Sequence, residues 1–270
     1  MQEMNKRVFD VNSTNACKGV ALLLLLWHHL FNTQVAEYGS VVYVSARLAK
    51  VCLAIFVFLS GYAYSQSVKS RDVGLFRFYK DRFVAIYSNY WFIALIFVPI
   101  GIFFMDRTLQ TAFSSHAYAR FMIQMTGLHG FAYSDLGYNA TWWYMSVIIP
   151  LVLLFPLIHV LTKGKYSLFL LVFLLVMLLP ARPLIPGLND WLLPFALGAF
   201  LSQRDYMSAI SKRLGTFGWW RFVMLSVAII LVAFFRSYSP LLHGTRIDWL
   251  FGLLVVLLVF EVTMTSQLVG

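Results

Sequence analysis

Long apolar stretches, separated by short and mostly basic polar breaks, make up most of this chain. A helix that crosses a bilayer needs roughly 20 predominantly apolar residues. Eight stretches fit that template, at about 17–35, 48–67, 83–105, 141–162, 166–181, 186–203, 219–236 and 247–267. The third is the cleanest, with no charge from Phe83 to Met105. The sixth, interrupted by Pro194 and Gly198, reads as kinked or partly re-entrant. Residues 106–140 are amphipathic, hold His116, Arg120, His129 and Asp135, and read as an external loop with a half-inserted helix. The pattern predicts an all-α fold, a polytopic transmembrane helix bundle of about eight spans forming a single domain over residues 1–270. It shows no internal repeat and no low-complexity tract.

Composition narrows the class further. Of the 270 residues 60% are hydrophobic and only 12% charged, against about a quarter charged in soluble domains, and mean hydropathy is +0.76. A water-soluble enzyme and a disordered chain are both excluded. The net charge of +10 comes from 21 Lys and Arg against 11 Asp and Glu. These basic residues lie between the apolar blocks, where the positive-inside bias puts them, and no basic-aromatic module accompanies them that would bind nucleic acid. With the N-terminus in the cytoplasm, the inner segments hold 14 of the 21 basic residues and the outer ones 7, Lys50 among them. Counting 106–140 as a ninth span reverses that bias. Lys6 and Arg7 precede an apolar run from Ala16 to about Phe31, too long for a signal core and without a small residue ahead of a cut at Ala36. An uncleaved first helix is therefore expected. Cys17 and Cys52 form no metal or disulfide framework, and the topology sets them near opposite membrane faces.

The first helix concentrates the candidate chemistry. Lys18 and His29 are 11 residues apart, which at 100° per residue brings them to within about 20° on one face and roughly 16 Å apart along the axis. Lys18 is then level with the cytoplasmic headgroups and His29 near mid-membrane, while His28 points about 100° away. One reading makes Lys18 a cation at the inner mouth that holds an anionic donor and His29 a general base. The other makes Lys18 a snorkelling anchor and His29 an interhelical hydrogen-bond residue. Ionisable groups at that depth are costly and line functional cavities more often than not.

The same pair resembles the Arg-x10-His signature of the acyltransferase-3 family, multispanning bacterial membrane enzymes that O-acylate cell-surface carbohydrates. Further segments resemble that family's motifs in the same order. Phe56-Val57-Phe58-Leu59-Ser60-Gly61-Tyr62 is similar to FFxLSGF in the second helix, and Arg82 through Trp91 to RxxRIYPxYW at the third. Trp142-Trp143-Tyr144-Met145-Ser146 resembles LWFLS, and Leu193-Pro194-Phe195-Ala196-Leu197-Gly198 resembles PYFxLG. This chain departs from the pattern where Lys18 replaces an Arg, Ala85 a second Arg and Ser88 a Pro. Eight spans against the family's usual number of about ten imply a C-terminally shortened member.

The resemblance implies a membrane O-acyltransferase of the inner membrane. Its donor is acetyl-CoA or another acyl-CoA and its acceptor an envelope carbohydrate; neither a metal nor nucleic acid takes part. His29 is the expected catalytic residue; Lys18, Arg82 and Ser60 bind the donor; Trp143 and Glu261 meet the substrate. Packing by small residues is an equal alternative for Ser60-Gly61, and an aromatic-belt anchor is the plainer role for Trp143. A transporter or flippase for an envelope polysaccharide, with His29 and Glu261 as a proton relay, is the second functional reading. It predicts structural repeats that the sequence does not show.

Overall fold

The computed structural model describes residues 9–32, 35–71, 74–113, 115–133, 135, 137–164, 167–176, 188–204, 206–207, 209, 218–238 and 244–269. Lys6, Arg7, Lys165, Arg182, Lys212, Arg213 and residues 177–187, which the span and charge readings used, lie outside them. The described residues form an all-α bundle. Its long helices are α1 (Val11–Phe31), α2 (Val35–Leu48), α3 (Cys52–Arg71) and α4 (Leu75–Phe104). Three short helices follow, α5 (Leu109–Ala112), α6 (Ala117–Met125) and α7 (His129–Ala132). Next come α8 (Met145–Lys163), α9 (Ser167–Val176), α10 (Asn189–Gln203), α11 (Trp219–Tyr238) and α12 (Asp248–Val269).

The described part of every predicted span falls on a helix, but local chemistry moves the boundaries. The Asp10 carboxylate accepts from the Ser13 N–H at 2.8 Å and caps α1, so the helix starts at Val11 and not near residue 17. Lys18 is therefore two turns inside the helix. Residues 36–47, expected outside the spans, are helical, and Gly39 (φ +80°) bends α2 in a backbone conformation that favours glycine. A 3₁₀ turn, Ala49–Val51, then hands α2 on to α3. The basic residues Arg77, Lys80 and Arg82 belong to α4 and not to a loop. α10 runs through Pro194 as one helix. Among the described residues four helices are long and apolar enough to cross a membrane: Gly39–Lys69, Leu75–Phe104, Ala140–Lys163 and Trp219–Tyr238.

α3 is the central helix, packed on α1, α8, α10 and α12. On one side Tyr64 meets Phe78, Phe155 and Phe195 edge to face. On the other, Cys52, Ile55, Phe58 and Leu59 pack with Cys17, Ala21 and Val256. Cys17 and Cys52 are both free, buried thiols along one elongated apolar cluster. α3 and α10 touch backbone to backbone. A Cβ at Gly61 would run into the Phe195 carbonyl oxygen, and one at Gly198 into that of Phe58. Lipid tails are as apolar as leucine, so such close packing is what joins helices in a membrane. α4 and α11 turn large apolar side chains outward, among them Phe92, Leu95, Phe103, Ile230 and Phe234.

The segment between α4 and α8 is pinned by hydrogen bonds. The hydroxyls of Tyr87 and Tyr90 and the indole N–H of Trp91 donate to the carbonyls of Thr126, Gln124 and Met125 at 2.6, 2.7 and 2.9 Å. They lie at the C-terminal end of α6, where carbonyls run out of helical donors; that of Gln124 also accepts from the Gly127 N–H at 2.8 Å. Ser146 donates to the Gly127 carbonyl (2.8 Å) and accepts from the Gly130 N–H (3.0 Å), which ties the same segment to α8.

Candidate active site

A cavity of about 590 Å³ opens where α1, the start of α3 and the 3₁₀ turn Ala140–Tyr144 meet. Leu25, Leu53 and Phe56 give it an apolar wall, and Trp143 and Tyr144 close one side. Its polar lining is His28, His29, Lys50, Ser60 and Thr141. Lys50, Leu53, Phe56 and Ser60 recur every three or four residues, so they form one stripe down α3 and the turn before it, roughly 15 Å long.

The two imidazoles stand at one end of that stripe, in the last turn of α1. Their ring centroids are 5.3 Å apart. His28 Nδ1 is 2.8 Å from the Ala46 carbonyl oxygen, and Trp27 Nε1–H donates to Ser45 Oγ at 3.0 Å, so α2 holds the end of α1 in place. A carbonyl accepts only, so His28 carries its proton on Nδ1 and leaves the lone pair on Nε2. His29 is exposed and lines the same cavity. At the other end of the stripe Ser60 Oγ donates to the Phe56 carbonyl at 2.8 Å, which leaves its oxygen free to accept.

Of the residues singled out in the sequence, His29, Ser60 and Trp143 meet in this cavity, and Lys18, Arg82 and Glu261 lie outside its lining. Lys18 is exposed on the outer surface of α1, and the roughly 16 Å of helix between it and His29 is not bridged by the cavity. The Arg82 guanidinium lies over the Tyr64 ring at 4.5 Å and faces Phe78 at 5.8 Å, a cation–π site. Glu261 accepts from Arg221 Nε and Nη2 at 2.9 and 2.6 Å. That pair joins α11 to α12, which accounts for an acid inside the last span by packing. His28, although offset round the helix, lines the same cavity as His29.

Sequence reasoning also missed Lys50, Thr141 and Tyr144 as lining residues. The spacing of Lys50 to Ser60 carries a signal for one face, but nothing in it shows that the face borders a void. A second cluster was equally hidden. Arg120 pairs with Asp135 and lies over the Tyr133 ring at 4.3 Å, while His129 Nε2 is 3.5 Å from the same carboxylate. Burial, and then the charge of Arg120, holds the His129 imidazole below the ordinary histidine range. At the C-terminal end of α11, Arg236 grips the buried Asp248 through Nε (2.5 Å) and Nη2 (3.2 Å) and donates to the Arg47 carbonyl at 3.1 Å.

A family model described as an acyltransferase domain, acyltransferase-3, matches residues 11–265. The chain belongs to the acyltransferase-3 family. It is thus a membrane acyltransferase, and the match spans every helix that builds the cavity. Neither the curated proteins nor the solved structures contain a match. Within this acyltransferase the stretch Phe56 to Tyr62 supplies both a cavity residue, Ser60, and a packing residue, Gly61. The stretch Arg82 to Trp91 supplies the donors that hold α6. Among the described residues no group of three His, Cys, Asp or Glu side chains converges as metal ligands would.

Proposed function

We propose that this acyltransferase moves an acyl group, acetyl in the simplest case, from acyl-CoA to a hydroxyl of an envelope or exported carbohydrate at the inner membrane. The observation that carries this reading is the meeting of His28, His29, Ser60 and Trp143 in one cavity with otherwise largely apolar walls. Its volume of about 590 Å³ is in the range of small-molecule sites. The positive-inside count supports a cytoplasmic start of α1, which turns the histidine end of the cavity toward the outer half of the membrane. The basic residues around Arg82, Lys163 and Arg204 then face the cytoplasm, where acyl-CoA is held.

His29 serves as the base. In direct transfer it takes the proton of the acceptor hydroxyl as that oxygen attacks the thioester carbonyl; the C–S bond breaks and the sulfur leaves as CoA thiolate, which is then protonated. In a relay, the imidazole itself takes the acyl group, releases CoA thiol and passes the acyl group to the hydroxyl. Ser60 accepts a hydrogen bond from the bound substrate, and the Trp143 indole offers a face to the sugar. Arg82, with Lys18 nearer the aqueous phase, attracts the phosphates of the donor.

Radiolabelled acetyl-CoA offered to the purified full chain in detergent tests the proposal. Acetyl transfer or thioester hydrolysis that disappears in His29→Ala supports it. Movement of polysaccharide in vesicles that is indifferent to acetyl-CoA would replace it with the flippase reading.

A further inference from the structure

We propose that Lys50 is an anion-binding residue of the cavity and that the acceptor carries a carboxylate or phosphate. The inference rests on the acyl-transfer reading above and adds a substrate class to it. Lys50 is the one lysine or arginine in the cavity lining among the described residues, at the end where His28 and His29 stand. It is half-buried, and Leu53 and Phe56 continue its stripe down α3. An ammonium among apolar side chains in a membrane-embedded bundle is costly unless an anion meets it. Among the described residues no carboxylate comes within 4.0 Å of it. Asp248, whose carboxylate interacts with Lys50 only at longer range, has both oxygens engaged by Arg236 at 2.5 and 3.2 Å. The two imidazoles add positive charge when protonated and none that is negative. Among the described lining residues every charge is therefore of one sign, and an anionic ligand complements it.

Position decides which substrate brings the anion. Tyr64, under the Arg82 guanidinium, lies 14 residues beyond Lys50, roughly 21 Å along the helix. Arg82, Lys163 and Arg204 gather toward that far end, where the Arg204 guanidinium reaches the Lys163 carbonyl at 3.5 Å. Donor phosphates have their cations there. Lys50, beside the candidate base, is placed for a charge on the molecule whose hydroxyl is acylated.

The test is equilibrium binding to the purified full chain, followed by tryptophan fluorescence because Trp143 lines the cavity. Methyl β-glucuronide and methyl β-glucoside differ at C6, a carboxylate against a hydroxymethyl group; glucose 6-phosphate presents a phosphate and is compared with glucose. The wild type is expected to bind at least one anionic sugar about tenfold or more tighter than its neutral counterpart, as a charge-assisted hydrogen bond requires. Which sugar it prefers tells carboxylate from phosphate. Lys50→Gln should erase the preference, and Lys50→Arg should keep it to within about threefold. Wild type with no preference, or with no binding of any of these sugars, overturns the proposal. So does a preference that survives Lys50→Gln, or a Lys50→Gln variant whose only defect is weaker acetyl-CoA binding. Acetyl-CoA turnover by the same preparations separates the two levels. A charge preference without turnover rejects the acyl-transfer reading alone, and turnover without a charge preference rejects the anion site alone.

Discussion

His28 Nδ1 lies 2.8 Å from the carbonyl oxygen of Ala46, a hydrogen bond that joins the last turn of α1 to α2. It fixes the His28 tautomer and, through the backbone, sets the position of His29 beside it. The two neighbours divide the work between them: His28 anchors, and His29 is the candidate base.

Replacement of each histidine tests that division. His29→Ala should lower acetyl transfer by about 10²- to 10⁴-fold, the usual contribution of a general base, without changing the melting temperature. His28→Ala should cost about tenfold in activity and also lower the melting temperature, because removing a partnered polar group in a buried setting costs about 1–3 kcal/mol. A larger activity loss in His28→Ala than in His29→Ala would assign the base to His28.

The crossing of α3 and α10 depends on two hydrogen atoms in place of methyl groups. Gly61→Ala and Gly198→Ala should each destabilise the bundle by about 1–3 kcal/mol, since the obstacle is a backbone carbonyl that cannot rotate aside. Gly19→Ala is the control. A Cβ there meets nothing within 4 Å, and alanine in a helix is favoured over glycine by about 0.5–1 kcal/mol. Thermal unfolding in detergent reads all three, and equal melting temperatures for Gly61→Ala and wild type would contradict the close approach.

Glu261 should behave as a structural residue. Its side chain and that of Arg221 are 11% and 8% exposed, so Glu261→Ala removes the carboxylate of a buried ion pair and should cost about 3–5 kcal/mol. The double variant Arg221→Met/Glu261→Leu should recover much of that loss. The KM for acetyl-CoA in whatever fraction folds should stay at the wild-type value; a selective rise in KM would return Glu261 to the substrate site.

The His129 cluster predicts a pH dependence. The folded state holds this imidazole neutral to a lower pH than the unfolded chain does, so below about pH 6.5 the unfolded chain binds a proton that the folded chain refuses. The contribution of His129 to stability is complete above that pH and is lost as the pH falls toward the depressed folded value. His129→Gln should flatten the acid side of the melting profile. An unchanged profile in that variant would remove His129 as its source.

What was legible in the chain followed from repeating one-dimensional rules. Hydrophobic run length located eight helical segments, because a bilayer sets a minimum apolar length whatever the neighbours are. Motif order placed His29, Ser60 and Trp143 together as candidates before any contact was visible. The Asp10 cap was present as a local pattern, although the apolar run alone drew the helix start too late.

Tertiary structure decided everything that requires two helices at once. Lys18 and His29 share a helical face by arithmetic, yet a common face is not a common cavity: only helix packing determines where a void remains, and it opens beside Lys50 and Ser60. Glu261 reads as a lone acid in an apolar run until α11 brings Arg221 within 2.6 Å. Sequence by itself established the bundle, its apolar segments and the family to which they point. The partners of each polar group are properties of distances between segments remote in the chain, and packing sets those distances.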